Sequence, residues 1–481
     1  MKKIYFVLTF CICACFSVQA HSVDPETALS VARHFYANLD RMNSQVANPV
    51  LVYQSTFTKV ENVGGRSVEQ LVPGFYVANF GDEGFVIVAA DDRVNPILAF
   101  STEGAFVFEN IPENIQFFLD GYTSEIQQVV NENFAENSET KSLWTALMEG
   151  TAGAWKDGAV MVGPLLGDNK WAQTKYYNDK CPADASGNSA YGGHAAVGCG
   201  AIVMGQVMRY WRYPTTGTGS NSYSSSYGTL SANFGATTYN YNAMPDRLVT
   251  TFHPDSCVDA VSTLLYHCGV SVNMRYGPDA SVANSNYIVS ALTTYFGFPN
   301  TVQYVERGSI TTTNWLNHIK QELDEGAPFM YGGSGNYGGH VWTCDGYRDD
   351  DYLHFNWGWG GTQNGYYAIT SCSTYGFNSN HAVIVGIRGP ELPNVSVADP
   401  SEPDFLVYPN PTDGKIRLAM DGEQMIGEVN VFDVNGKYLF NKKLDNENSE
   451  LDLSDYAPGM YYLSIMAGKK VVKTVKVVKV D

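Results

Sequence analysis

The chain has 481 residues, 30 basic and 49 acidic, a formal charge of −19, and 44% hydrophobic and 13% aromatic residues. At roughly 100 to 200 residues per domain several cores are expected, and only 16% charged residues excludes a disordered solvating polymer. The acidic balance, with no basic stripe interleaved with aromatics, argues against a nucleic acid partner.

Lys2 and Lys3 precede an apolar run from Ile4 to Phe16 and the small-residue site Val18-Gln19-Ala20. This is the pattern of an export signal over 1–20, cut before His21. The run is too short for a membrane span of about 20 apolar residues, and no later stretch is long and apolar enough. Ile12-Cys13-Ala14-Cys15 only loosely approximates a lipid-acceptor box.

Between 24 and 39, Ala28, Val31, Ala32, Phe35 and Leu39 recur at the three- and four-residue spacing of an amphipathic helix. Strand-like runs follow at 51–57, 74–80, 84–89 and 97–100, separated by Gly, Asp and Asn turns, and 115–130 returns to a helical pattern. An α+β unit over 21–150 is expected. Residues 136–158, polar and small with Gly150, Gly153 and Gly158, predict an exposed connection.

The segment 151–389 carries Cys181, Cys199, Cys257, Cys268, Cys344 and Cys372, too sparse a set for a disulfide scaffold. Helical spacing at 201–211, 258–268, 285–296 and 314–325 precedes strands at 328–331, 340–347, 352–357 and 366–369. Helices first and a sheet afterwards predict an α+β fold with two unlike halves. A Pro- and acid-rich linker, 390–404, leads to 405–481, where alternating strands at roughly ten-residue spacing predict a small β-sandwich. No C-x-x-C pair, H-E-x-x-H or clustered His/Cys set supports a metal site, and no cofactor is expected. Asp349-Asp350-Asp351 lacks calcium-loop spacing and reads as a solvated hairpin turn.

Cys199 sits where a helical pattern begins, in Val-Gly-Cys-Gly-Ala-Ile-Val-Met. Free N–H groups and the positive end of the dipole at a helix N-terminus stabilise a thiolate, and Gly198 and Gly200 leave room for a substrate backbone. A thiolate needs a base and a group that orients the base. His340 follows in Gly-Gly-His-Val-Trp and Asn356 in His-Phe-Asn-Trp-Gly-Trp-Gly-Gly. Cys, His, Asn is the order of the papain-like thiol proteases, and two adjacent strands could bring His340 and Asn356 together. His194 is a competing base on the loop before the helix. Gln173, in Lys-Trp-Ala-Gln-Thr, precedes the cysteine and is placed to donate its side-chain amide to an oxyanion beside the Cys199 N–H.

Trp171-Ala-Gln173, Tyr177-Asn178, Cys181-Pro182, the helix from Cys199 to Tyr-Trp-Arg-Tyr-Pro214, Gly338-Gly339-His340 and Asn356-Trp-Gly-Trp-Gly-Gly361 together resemble the streptopain family of papain-like cysteine peptidases. Gly84-Phe-Val-Ile-Val-Ala-Ala-Asp-Asp-Arg-Val resembles the inhibitory propeptide of that family. The resemblance implies a papain-like two-half catalytic domain over 151–389, made as a zymogen whose prodomain, 21–150, keeps the base from its working position until the 136–158 connection is cut. It implies Cys199 as nucleophile, His340 as general base and acid, Asn356 as orienter shielded by Trp357 or Trp359, and Gln173 as oxyanion donor, with Gly339 and Ser281 lining the cleft. Streptopain-like sequences often have Val where Gly200 stands, so a looser helix start is expected. Tyr408-Pro-Asn-Pro-Thr412, Val431-Phe-Asp-Val-Asn-Gly436 and Leu451-Asp-Leu-Ser-Asp-Tyr-Ala-Pro-Gly-Met-Tyr-Tyr-Leu463 resemble the C-terminal sorting domain of type IX secretion, a receptor-read address. The expected function is a secreted cysteine endopeptidase acting on proteins or peptides. Its partners would be its own prodomain and the outer-membrane secretion machinery. An inactive surface binding or adhesion protein on the same fold is the alternative, and acyl transfer by the same Cys-His pair a third reading.

Overall fold

The computed structural model describes residues 21–39, 48–151, 158–248, 255–335, 338–369, 381–390, 405–420, 427–433, 438–444, 450–467 and 470–480. The expected signal, Cys372 and nearly all of the linker lie outside the described residues. The chain divides into two compact units, Met1–Pro390 and Glu391–Asp481.

The first unit opens with α1 (Pro25–Leu39), whose first turn is held by Asp24 Oδ1 accepting from the Glu26 and Thr27 N–H groups. Its buried residues include Ala28, Val31, Ala32 and Phe35, as the spacing predicts. A long hairpin follows, β1 (Val50–Val63) and β2 (Arg66–Asn79), then β3 (Phe85–Ala89), β4 (Ile97–Ser101), α2 (Glu113–Asn131) and α3 (Ser138–Glu149). Helix α3 occupies most of the stretch expected to be an exposed connection. Asn137 caps it through the Thr140 N–H, Gly150 closes it in the left-handed region at φ 63, and Trp144 and Leu147 are buried. The polar composition is only its outer face.

Next come β5 (Val160–Val162), α4 (Cys199–Trp211), the hairpin β6 (Ser220–Ser225) and β7 (Gly228–Asn233), α5 (Asp255–Ser271), α6 (Asn286–Thr294), β8 (Gln303–Glu306) and α7 (Thr312–Asp324). β9 (Phe329–Gly335), β10 (Gly338–Arg348), β11 (Leu353–Asn356), β12 (Gly365–Tyr367) and β13 (His381–Val385) complete the unit. A helical half and a sheet half are thus present, as expected. In the β10–β11 turn, Arg348 pairs with a largely covered Asp350, so only Asp349 and Asp351 of the acidic run are solvated.

Strands of both segments form one 11-stranded sheet in the order β1-β2-β3-β4-β12-β11-β10-β9-β13-β8, with β5 paired to β10. The join is antiparallel, Phe100 pairing Tyr366 and Ala99 pairing Tyr367. β3 and β4 are buried at every residue, the mark of central rather than edge strands. Phe85, Phe100 and Phe118 from the N-terminal segment share one apolar core with Tyr352, Phe355, Trp357 and Tyr367. The N-terminal α+β segment therefore contributes four of the eleven strands of a continuous sheet.

The second unit consists of β14 (Phe405–Tyr408), β15 (Lys415–Met420), β16 (Gly427–Asp433), β17 (Tyr438–Leu444), β18 (Glu450–Asp452), β19 (Gly459–Ala467) and β20 (Lys470–Lys479). They make two antiparallel sheets, β14-β15-β18 and β17-β16-β19-β20. Ile416, Leu418 and Leu451 from one and Val429, Leu463 and Val477 from the other close a common core, a small β-sandwich.

Candidate active site

Cys199 is the first residue of α4, so the helix begins at the cysteine with no looseness at Gly200. Gly198, the N-cap, sits at φ 90, and a Cβ there would meet the Met274 side chain at 2.8 Å and the Ser281 carbonyl at 2.9 Å. Only glycine gives the chain this approach to the helix. Burial pushes the half-buried thiol up, while the N–H groups of Val341, Gly200 and Cys199 itself pull the other way by hydrogen bonding to the sulfur. Burial prevails.

His340 lies on β10 beside Val341, and its direction follows from strand alternation. The Thr343 hydroxyl donates to Gln206 Oε1 on α4 at 2.7 Å, so Val341 and Thr343 share the face toward α4. His340 and Trp342 share the opposite face, where α2 lies. Phe118 of α2 meets Trp342 edge to face at 5.6 Å between centroids, and Phe117 meets the His340 ring at 5.6 Å. No hydrogen bond joins the Cys199 thiol and the His340 imidazole, and His340 Nε2 is buried without a partner. Burial lowers the His340 pKa, with Glu113 at the start of α2 opposing. Gly333 on β9 stands between His340 on β10 and His381 on β13. A Cβ at 333 would come within 2.5 Å of the Phe117 ring, so Phe117 fills the notch this glycine leaves.

Asn356 ends β11 and pairs with Thr343, not with His340. Its Nδ2 donates to the Asn169 carbonyl at 2.7 Å, and its Oδ1 accepts from Gln206 Nε2 at 2.9 Å and the Gly358 N–H at 3.1 Å. The strands are neighbours as expected, but the register sets the two side chains three residues apart and the structure does not bring them together. Trp357 is fully buried, its indole donating to the Gln363 carbonyl at 3.0 Å and packing on Trp342 at 4.9 Å. Asn114, on the first turn of α2, donates to the Trp357 carbonyl and accepts from the Trp359 indole, both at 3.1 Å.

Gln173 is buried, and its carbonyl takes the Val197 N–H at 3.1 Å, which ties its loop to the approach to Cys199. Ser281 donates to the Ala196 carbonyl at 2.7 Å and accepts from the Gly277 N–H at 3.1 Å, bracing the same approach. Gly339 pairs with Ser334 at the start of β10. His194 donates from Nδ1 to the Cys181 carbonyl at 2.9 Å, which commits one ring nitrogen elsewhere. Cys181, Cys257, Cys268 and Cys344 are free thiols like Cys199. Beside His340 a cavity of about 300 Å³ has an apolar floor of Met330, Val341, Ala382 and Ile384, with Arg275 and Asn286 among its polar lining. Among the described residues no group of three or more His, Cys, Asp or Glu side chains could hold a metal ion.

The sequence reading missed Asn114, Phe117 and Gln206. Phe117 and Phe118 sit in a helix whose amphipathic pattern reads as ordinary core. Gln206 had a legible signal, a polar residue inside the apolar run Ala201–Met208, seven places after Cys199 and so on its side of the helix.

Residues 20–126 match the Spi protease inhibitor family, 171–367 the Peptidase C10 family, and 406–480 the secretion system C-terminal sorting domain. The chain is 28% identical over 442 residues to the thiol protease/hemagglutinin PrtT of Porphyromonas gingivalis, covering 87% of this chain and 48% of that relative, and so spans about half its length. It is 32% identical over 353 residues to streptopain of Streptococcus pyogenes, covering 68% of this chain and 83% of streptopain. Among solved structures it is similar to prointerpain A of Prevotella intermedia, with a TM-score of 0.53 and 27% identity, over 69% of this chain and 100% of that one. The tail is that of type IX secretion, which places the protein outside the cell or on its surface. With an inhibitor segment ahead of its peptidase segment, this chain belongs to the streptopain family of cysteine peptidases and is made as a zymogen.

Proposed function

We propose that the chain is an endopeptidase that cleaves protein or peptide substrates through a Cys199–His340 pair once the prodomain has been removed. The observation that carries this reading is that Cys199 is the first residue of α4 and that β10, the strand of His340, is tied to α4 by the Thr343–Gln206 hydrogen bond at 2.7 Å. It sets the strand of the base beside the helix of the nucleophile, whose N-terminal end favours a thiolate.

In the working form His340 takes the thiol proton, and the thiolate attacks the carbonyl carbon of the scissile bond. The developing oxyanion accepts from the Cys199 N–H and the Gln173 amide. The imidazolium returns its proton to the leaving amine, the C–N bond breaks, and an acyl-enzyme remains. Water, deprotonated by His340, then attacks the thioester and releases acid and thiol. Asn356 orients the imidazole when the Gly358 N–H, the longer of its two Oδ1 donors, gives way. Trp357 and Trp359 shield that contact. Gly339 and Ser281 belong to the cleft, and the apolar cavity beside His340 receives a substrate side chain.

The prodomain inhibits by geometry. Phe117 holds His340 on the sheet face away from α4, and Asn114 clamps the 357–359 loop. With the imidazole turned away and the thiol desolvated, the pair is neutral on both sides, the reverse of a reactive ion pair. The tail, 405–481, is read by the outer-membrane secretion machinery. The test is covalent labelling of Cys199 by a peptide-like electrophile before and after maturation, with Cys199→Ala as control. Strong labelling after maturation, together with peptide hydrolysis, is expected. An inert Cys199 in the matured protein would replace this reading by that of a surface binding protein.

A further inference from the structure

Gln206 is fully buried on α4, two turns beyond Cys199. Its Oε1 accepts from the Thr343 hydroxyl at 2.7 Å, and its Nε2 donates to Asn356 Oδ1 at 2.9 Å and to Asn169 Oδ1 at 3.3 Å. Each of the three partners sits on a different segment. Thr343 is on the strand of His340, Asn356 opens the 357–359 loop, and Asn169 lies four residues before Gln173. The Asn356 amide is itself fixed, Nδ2 donating to the Asn169 carbonyl and Oδ1 accepting from Gly358. That leaves Oδ1 as the atom facing Gln206, so position 206 must donate on this side and accept from Thr343 on the other. The primary amide does both at neutral pH, whereas a carboxylate only accepts and an ammonium only donates.

We infer that Gln206 is a positioning residue that sets the placement of the nucleophile helix against the base strand, the 357–359 loop and the oxyanion segment. It touches no substrate. It acts through Cys199, His340, Asn356 and Gln173, and in this it rests on the site proposed above. Because a misplacement of about 1 Å at a catalytic group costs on the order of 10²-fold, its loss should fall on kcat and spare KM.

The experiment compares matured enzymes, each expressed as the full chain and processed by a trace of tagged wild-type protein that is then removed. Gln206→Met keeps the length and removes all three hydrogen bonds. It should lower kcat by roughly 30- to 100-fold at every pH while KM stays within about threefold. Gln206→Glu supplies the sharper readout. As a carboxylate it accepts from Thr343 but sets an oxygen against the Asn356 and Asn169 oxygens; protonated, it regains a donor toward them. Burial raises such a carboxyl into the working range. The kcat of Gln206→Glu relative to wild type should therefore climb by about tenfold as pH falls from about 8 to 5.5, and Gln206→Met should show no such limb. Thr343→Ser, which keeps the hydroxyl, should stay within about threefold of wild type.

A folded Gln206→Met with kcat within about threefold of wild type overturns the inference. So does a Gln206→Glu to wild-type ratio that is flat with pH, and this second measurement decides if Gln206→Met does not fold. Activity retained by Cys199→Ala would instead sink the catalytic reading itself, so the two failures are distinguishable.

Discussion

Phe117 of the prodomain rests on the His340 ring at 5.6 Å, over the notch left by Gly333. On the proposed mechanism Phe117 restrains the base, on the face of the sheet opposite α4.

Replacing Phe117 with Ala should loosen that hold while leaving Phe118 in the core. Labelling of Cys199 in the uncut full chain should rise by about tenfold, since 1.4 kcal/mol of lost contact, within reach of one half-buried aromatic pair, is a factor of ten. Unchanged labelling of uncut Phe117→Ala would move the restraint elsewhere on α2.

Cys199→Ala should abolish both peptide hydrolysis and self-maturation, and His340→Ala should come close to it, because members of one catalytic unit are not additive. Gln173→Ala should be milder, about 10²-fold in kcat, since one oxyanion donor of two remains. Steady-state kinetics on matured proteins, after processing in trans, measures all three. A fully active Gln173→Ala would place the oxyanion donor elsewhere.

Acid should weaken the closed zymogen. Burial lowers the His340 pKa in the closed form, so the closed form binds fewer protons there than the opened chain. A depressed pKa contributes stability that is present above the ordinary histidine value, about 6.5, and is lost as pH falls toward the folded value. The unfolding midpoint of full-length Cys199→Ala should drop as pH falls below about 6.5, and adding His340→Gln should flatten part of that drop. Identical pH profiles for the two proteins would count against it.

Removal of residues 405–481 should leave a peptidase that folds and matures, because the first unit ends at Pro390 and holds every proposed catalytic residue. The truncated protein should collect in the periplasm. Fractionation with activity measured in each compartment tests this, and normal appearance outside the cell would make the tail something other than the address.

Much of this was legible because the chemistry is local. A cysteine at the onset of helical spacing, a histidine between a glycine loop and an apolar strand, and strands of alternating pattern in the tail all declare themselves within about ten residues. What stayed hidden depends on pairing. Periodicity marks Phe100 and Tyr366 as strand residues but cannot say that they are partners. Nor does it say that β10 meets β11 with Thr343 opposite Asn356, which separates His340 from the asparagine expected to orient it. Helix α3 was masked by its own surface, since few of its residues carry the buried stripe.

The β4–β12 join has a consequence for how this enzyme switches on. Cutting the backbone between α3 and β5 removes one covalent link and none of the ladder at Phe100–Tyr366 and Ala99–Tyr367. The severed N-terminal piece should therefore stay bound as a nicked, silent complex. Release, or piecemeal digestion of that piece by enzyme already free, then becomes the slow event. A fresh batch should show a lag that shortens with concentration, and gel filtration during the lag should find both pieces travelling together. Beyond the cell, the local concentration of enzyme would then set how soon the four N-terminal strands are stripped from the sheet.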